Sequence, residues 1–118
     1  MTQIIEKRAF LCLLFDFYGA LLTEKQKFVF DLYYHNDLSL VEIAQEENIS
    51  RQAVYDILKR SENILYDYED RLHLASKFIK TNDKLVNALN IINNIEQENN
   101  SDKLGKLKQI IHSVLKDG

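Results

Sequence analysis

The sequence predicts an all-α protein built on a helix-turn-helix, with a long recognition helix and a C-terminal helical hairpin. Three observations carry this. The 118 residues contain no proline and only three glycines (Gly19, Gly105, Gly118), so little interrupts a helix and little favours a tight hairpin. Serine or threonine twice precedes a Glu or Gln by three positions, the reciprocal signature of a helix start. Apolar residues recur at steps of three and four along most of the chain. A hydrophobic content of 46 % supplies a core for one domain, or for a small domain with an appendage. The expected division is a helix-turn-helix domain with its long helix at 1–80 and the hairpin at 81–118.

Residues 3 to 22 are expected to form a first helix of unusual hydrophobicity, with Ile5, Ala9, Cys12, Leu13 and Phe17 among its apolar positions. A helix apolar around most of its circumference is covered on more than one side. In so short a chain, part of that surface is expected to face a second copy. Asp16 interrupts the run from Ala9 to Leu22, which falls short of the ~20 residues that span a bilayer, so no membrane insertion and a cytoplasmic location are expected. Cys12 has no partner for an internal disulfide and reads as a small buried hydrophobe. Gly19 is expected to loosen the end of this helix. Thr23 with Gln26 then opens a second helix through Phe28, Val29, Leu32 and Tyr33, ending near Asn36. The run of Asp31, Tyr33, Tyr34 and His35 is read as structural, as a lone histidine beside a helix end usually is.

Leu38 to Arg60 is the stretch whose spacing specifies a motif. Ser39 caps a short helix, with Glu42 reaching back to it. Ile43 and Ala44 face inward, and Ala44 supplies the small side chain that two steeply crossing helices need at their closest approach. Glu47-Asn48-Ile49 is the turn, with Asn48 where a left-handed backbone is wanted. Ser50 caps the second helix, whose buried stripe is Val54, Ile57 and Leu58. Arg51, Gln52, Tyr55, Asp56 and Lys59 are left pointing outward, where such a motif meets base edges.

Beyond Arg60 the pattern does not stop. Val54, Leu58, Ser61, Leu65, Tyr68, Leu72, Ala75 and Ile79 alternate steps of four and three, with no breaker before Thr81-Asn82-Asp83. The spacing predicts one helix from Ser50 to about Ile79. This seam either packs against helices of its own chain or joins a homodimer through Leu65, Tyr68, Leu72 and Ala75; its length favours the dimer. Thr81 is then expected to cap a helix carrying Leu85, Ala88, Leu89, Ile92 and Ile95, ended by Asn99-Asn100-Ser101. Ser101 is expected to cap the last helix, with Leu104, Leu107, Ile110, Ile111, Val114 and Leu115 and a first turn weakened by Gly105.

Charge narrows the partners. The chain is −3 overall, and residues 23 to 60 hold five basic groups against seven acidic ones. Duplex affinity comes mainly from neutralising phosphates, and a motif of that balance supplies little of it. Locally, Arg51, Lys59 and Arg60 are opposed only by Asp56. Residues 71 to 118 are net basic, with eight cations against five anions, and read as a solvated face or as a hold on an acidic partner. Nothing supports an enzyme. His35, His73 and His112 lack ligand partners at metal spacing, no glycine-rich phosphate loop occurs, and no cofactor is implied.

From Leu22 to Arg60 the residues carry a family resemblance. Leu-Thr-Glu-Lys-Gln, Asp-Leu-Tyr-Tyr, Asp-Leu-Ser-Leu-Val-Glu-Ile-Ala and Ile-Ser-Arg-Gln-Ala-Val-Tyr resemble the YlxM family of small bacterial proteins, whose helix-turn-helix is similar to region 4 of sigma factors. That resemblance implies a DNA-binding fold of the winged-helix type without a wing, and a dimer. It also implies a regulatory role in the signal recognition particle (SRP) pathway, from the family's usual gene neighbourhood. By the sigma analogy, Arg51, Gln52, Tyr55 and Lys59 fall at base- or phosphate-facing positions.

Two functional classes follow, with a ligand-free structural dimer as a third. In the first, a nucleic-acid-binding regulator uses Ser50, Arg51, Gln52, Tyr55, Lys59 and Arg60, with Arg51 and Gln52 on bases and Ser50 and Lys59 on phosphates. In the second, the fold is an adaptor for the SRP GTPase or its RNA, and DNA is not the partner.

Overall fold

The computed structural model describes residues 6–99 and 102–117. The elements are α1 (Lys7–Tyr18), a 3₁₀ turn (Gly19–Leu21), α2 (Glu24–Tyr34), α3 (Leu40–Glu47), α4 (Arg51–Leu72), α5 (Leu74–Asn99) and α6 (Asp102–Asp117). No strand occurs among the described residues, and the protein is an all-α helix-turn-helix protein. No described helix is long and apolar enough to cross a membrane. The chain divides into two compact units, the first ending at Ala75 and the second beginning at Ser76.

Local chemistry fixes the starts of α2, α3 and α4. Thr23 Oγ1 accepts from the Gln26 amide at 3.2 Å while the Thr23 amide donates to Gln26 Oε1 at 3.0 Å. Ser39 and Glu42 repeat the exchange at 3.1 and 2.9 Å. Both boxes satisfy donors that a helix start otherwise leaves bare. Hydrogen bonding to the Ser39 amide and hydroxyl holds the exposed Glu42 carboxyl below the usual carboxylate range. Ser50 Oγ accepts from the Ala53 amide at 3.0 Å and opens α4.

Two core clusters build the first unit. Leu11, Leu14, Tyr18, Leu22, Phe30, Leu65 and Ala75 form one; Val29, Ile43, Ala44, Val54 and Leu58 form the other. Phe15 stacks on Phe30 with ring centroids 4.6 Å apart. Gly19 leaves room for that stack: a Cβ there would lie 3.1 Å from the Phe15 ring, which would have to shift by a few tenths of an ångström. On α1 the inward face is Leu11, Leu14 and Tyr18. The apolar positions expected to matter lie off that face: Ala9 is exposed, Phe17 is 37 % exposed, and Cys12 and Leu13 are half-buried. Burial pushes the Cys12 thiol up from its ordinary value. Ile5 lies outside the described residues.

The long helix ends earlier than its periodicity predicts. Leu72 is the last residue of α4, His73 turns left-handed at φ 58°, and α5 begins at Leu74. A buried polar cluster explains the break. Tyr18 Oη donates to Glu69 Oε1 at 2.7 Å and accepts from the Leu74 amide at 3.1 Å. Glu69 Oε1 also accepts from the Ala75 amide at 3.0 Å. The first two amides of α5 are thereby satisfied by α1 and α4, so this helix start can lie against the core without bare donors. Conversely, α5 runs unbroken through Thr81-Asn82-Asp83, so Thr81 caps nothing. Of the seam, Val54, Leu58, Ser61, Leu65 and Ala75 are buried within their own chain. Ser61 is accommodated because its hydroxyl donates to the Ile57 carbonyl at 2.7 Å.

In the second unit, Leu89, Ile92 and Ile111 form a small core flanked by Leu85, Ala88, Leu104 and Leu115, and Lys108 pairs with Glu96 at 3.2 Å. Ile91, Ile95, Leu107, Ile110 and Val114 are exposed, so much of the apolar face expected on α6 is at the surface. The expected Ser101 cap lies outside the described residues.

Candidate nucleic-acid interface

α4 is held from behind and bare in front. Val54 and Leu58 are fixed against Val29 of α2 and Ile43 and Ala44 of α3, which sets the rotation of the helix about its axis. The turn that precedes it is closed by Asn48, left-handed at φ 54°, whose amide donates to the Ala44 carbonyl. Asparagine tolerates that backbone at little cost. Ala44 is only 9 % exposed at the crossing of α3 and α4.

With the helix so rotated, Ser50, Arg51, Gln52, Tyr55, Lys59 and Arg60 are all exposed. They occupy the N-terminal three turns of α4 and the residue that caps it. A helix N-terminus carries a partial positive charge and favours an anion. Not all six side chains are unengaged. Gln52 Nε2 donates to Asp56 Oδ1 at 3.0 Å, so meeting a base edge requires that bond to open. Lys59 Nζ lies 3.9 Å from Glu62 Oε1. Arg51 and Arg60 make no ion pair among the described residues, and Tyr55 makes neither a hydrogen bond nor a ring contact among them.

Beside this face is a cleft of about 380 Å³, lined from four helices. Leu11, Leu40 and Leu58 are its apolar lining, Tyr33, Tyr34 and Tyr55 its aromatic one, and Lys7, Arg8, Lys59 and Glu62 its charges. Arg8 is set rigidly. Its Nη2 donates to the Tyr33 and Tyr34 carbonyls at 2.7 and 3.2 Å and to Asp37 Oδ1 at 3.0 Å. Its guanidinium also lies over both tyrosine rings, 5.3 and 4.9 Å from their centroids. A cation at the carbonyl end of α2 complements the negative pole of that helix. Tyr34 Oη donates to Glu62 Oε2 at 2.7 Å, and burial, reinforced by this carboxylate, raises the phenol well above its ordinary value.

Sequence periodicity finds the outward face of α4 because that face is local. It does not find Lys7, Arg8 or Glu62, which reach the cleft only through the packing of α1 against α2 and α4. Tyr33 and Tyr34, read from sequence as structural, line the cleft and also pack against the core clusters of the first unit. The expected dimer residues are divided. Leu65 and Ala75 are fully buried in their own chain, where packing against α1 consumes them; Tyr68 is half-buried and stacks on Tyr18 at 5.9 Å; Leu72 is 48 % exposed. Among the described residues no cluster of His, Cys, Asp or Glu could hold a metal ion.

Residues 5–110 match the family described as "Putative helix-turn-helix protein, YlxM / p13 like". The chain is similar to a UPF0122 protein of Desulforamulus reducens, 46 % identical over 103 residues that cover 87 % of this chain and 88 % of the other. It is similar to a UPF0122 protein of Clostridium kluyveri at 44 % identity, covering 91 % and 96 %. A third relative, from Bacillus thuringiensis, is 43 % identical over 96 % of this chain and 98 % of its own length.

Proposed function

Because this chain belongs to the family of YlxM / p13-like helix-turn-helix proteins, we propose that it is a non-enzymatic regulatory protein that binds nucleic acid through the exposed face of α4. One observation carries the reading. Arg51, Gln52, Tyr55, Lys59 and Arg60 stand exposed on the N-terminal half of a Ser50-capped helix whose other face is locked into the core. Arg51 and Gln52 read bases, and Ser50, Lys59 and Arg60 meet phosphates. Fluorescence anisotropy of a labelled duplex at low and high salt tests this. Arg51→Ala and Lys59→Ala each weaken binding; if both bind as well as the parent, the assignment is wrong.

The regulation belongs, on this proposal, to the SRP targeting pathway that the family resemblance implies. A second reading is supported by charge. With a net −3 and exposed Asp67 and Asp70 farther along α4, the surface also suits an adaptor that contacts the SRP GTPase, or its RNA through the net-basic residues 71–118, instead of a duplex. Pull-down of the purified particle components distinguishes the two. A homodimer that presents two copies of α4 is part of the proposal. Its support is apolar surface that remains after folding: Leu72 in the first unit, and Ile91, Ile110 and Val114 in the second. Sedimentation at several concentrations tests it, and a monomer throughout refutes it.

A further inference from the structure

We infer that the cleft between α1, α2 and α4 is a binding site for a nucleotide, with the base against Tyr55 and the phosphate on Lys7 and Lys59. Four features of the cleft point to that chemistry. Its volume of about 380 Å³ falls in the range of roughly 300 to 1,000 Å³ that small-molecule sites occupy. Its apolar lining, Leu11, Leu40 and Leu58, together with the rings of Tyr33 and Tyr34, provides a wall for a flat ring. Tyr55 is 47 % exposed and, among the described residues, is without any ring partner, so a face is available for stacking. The charges favour an anion: Lys7, Arg8 and Lys59 line the cleft with Glu62, and with Arg8 paired to Asp37 the balance is still positive, in a chain that is net negative.

The cations are not equivalent. Arg8 is committed through Nη2 to the Tyr33 and Tyr34 carbonyls and to Asp37, so it shapes the wall and contributes field more than contact. Lys7 makes no ion pair among the described residues, and Lys59 holds Glu62 only at 3.9 Å. These two flexible amines are the groups able to close on a phosphate. Glu62, fixed by the Tyr34 hydroxyl, is placed as an acceptor for a ribose hydroxyl or an exocyclic amine. Tyr55 and Lys59 also belong to the exposed face of α4, so an occupant of the cleft shares two side chains with the proposed duplex surface.

The nucleotide comes either free or as an unpaired unit of a single strand, and the same chemistry recognises both. Isothermal titration of the full chain with AMP, GMP, CMP and UMP, with adenosine and ribose 5-phosphate as half-ligands, and with a single-stranded eight-mer tests the inference. No duplex is present, so the outcome is separate from that of the duplex reading. The expected result is saturable binding of a mononucleotide or of the eight-mer, weakened about tenfold by Tyr55→Ala, restored by Tyr55→Phe, and weakened by Lys7→Ala. Mononucleotide binding identifies a free ligand; binding of the eight-mer alone identifies a strand. Circular dichroism confirms that these surface variants fold. Absence of binding to both, or binding indifferent to Tyr55→Ala and Lys7→Ala, overturns the inference.

Discussion

Replacing Tyr18 by Phe removes one oxygen atom and should unfasten the junction of α4 and α5. The ring keeps its place in the core, stacked on Tyr68, so the cost is confined to hydrogen bonding. Two bonds are lost: the 2.7 Å donation to Glu69 Oε1 and the 3.1 Å acceptance from the Leu74 amide. A hydrogen bond to a charged group contributes about 1.5 to 3 kcal/mol, and the carboxylate deprived of it stays buried. The half-buried Leu74 amide recovers part of its loss from water. The expected sum is about 2 to 3 kcal/mol. At a urea slope of about 1 to 3 kcal/mol per M, the unfolding midpoint falls by roughly 0.7 to 3 M. The melt is followed by far-ultraviolet circular dichroism, which reads helix content and does not depend on the ring being changed. A midpoint shift corresponding to less than about 0.5 kcal/mol would refute the claim that this cluster, and not the local sequence at His73, sets the helix break.

His73→Gly is expected to raise stability by about 0.5 to 1 kcal/mol, since glycine adopts φ 58° without strain; His73→Ala gains nothing, and thermal melts compare the two. Ala44→Leu should cost about 1 to 3 kcal/mol by overpacking the α3–α4 crossing, and an unmoved urea midpoint would contradict the close approach inferred there. Alkaline unfolding follows from Tyr18, Tyr34 and Tyr66, whose phenols burial raises above their ordinary value of about 10. Because the folded state favours their neutral form, their contribution is complete below about pH 10 and lost as pH rises through the elevated folded values. Tyr34→Phe flattens that decline in urea midpoint against pH, and an unchanged slope would remove Tyr34 from the account.

What the sequence shows and hides separates along the range of the interactions involved. The boxes at Thr23–Gln26 and Ser39–Glu42, the turn at Asn48 and the cap at Ser50 all act between residues three or four apart, and a linear reading finds them. The exposed face of α4 follows from the same periodicity. The break at His73 does not, because Tyr18 and Glu69 are 51 residues apart and only folding brings them together. On the heptad count Glu69 lies beside the seam and not on it, yet it is 6 % exposed. The inward face of α1 was hidden for another reason: a helix apolar on nearly every side gives periodicity nothing to choose between. The cleft is the extreme case, since Lys7, Tyr34, Tyr55 and Glu62 come from three helices with no shared spacing.

Charge along α4 also limits how nucleic acid can lie on it. Arg51, Lys59 and Arg60 occupy the first three turns, while Asp67 and Asp70 are exposed on the last two. A duplex running alongside the whole helix would set phosphates against those carboxylates, within about one Debye length of ~8 Å, where repulsion is not screened. Approach by the N-terminal end avoids this and adds the favourable pole of the helix dipole. On the proposed reading the footprint is then short, with about two phosphates neutralised per chain, by Lys59 and Arg60 of α4. Counterion release predicts a plot of log affinity against log salt with a slope of about −2 per chain, and about −1 after Lys59→Ala. Titrations between low and physiological salt measure it, with stoichiometry fixed by the plateau. A parental slope of about −6 per protomer would require cations beyond α4 and would sink the end-on geometry, whereas a slope near zero would remove phosphate contact from this surface.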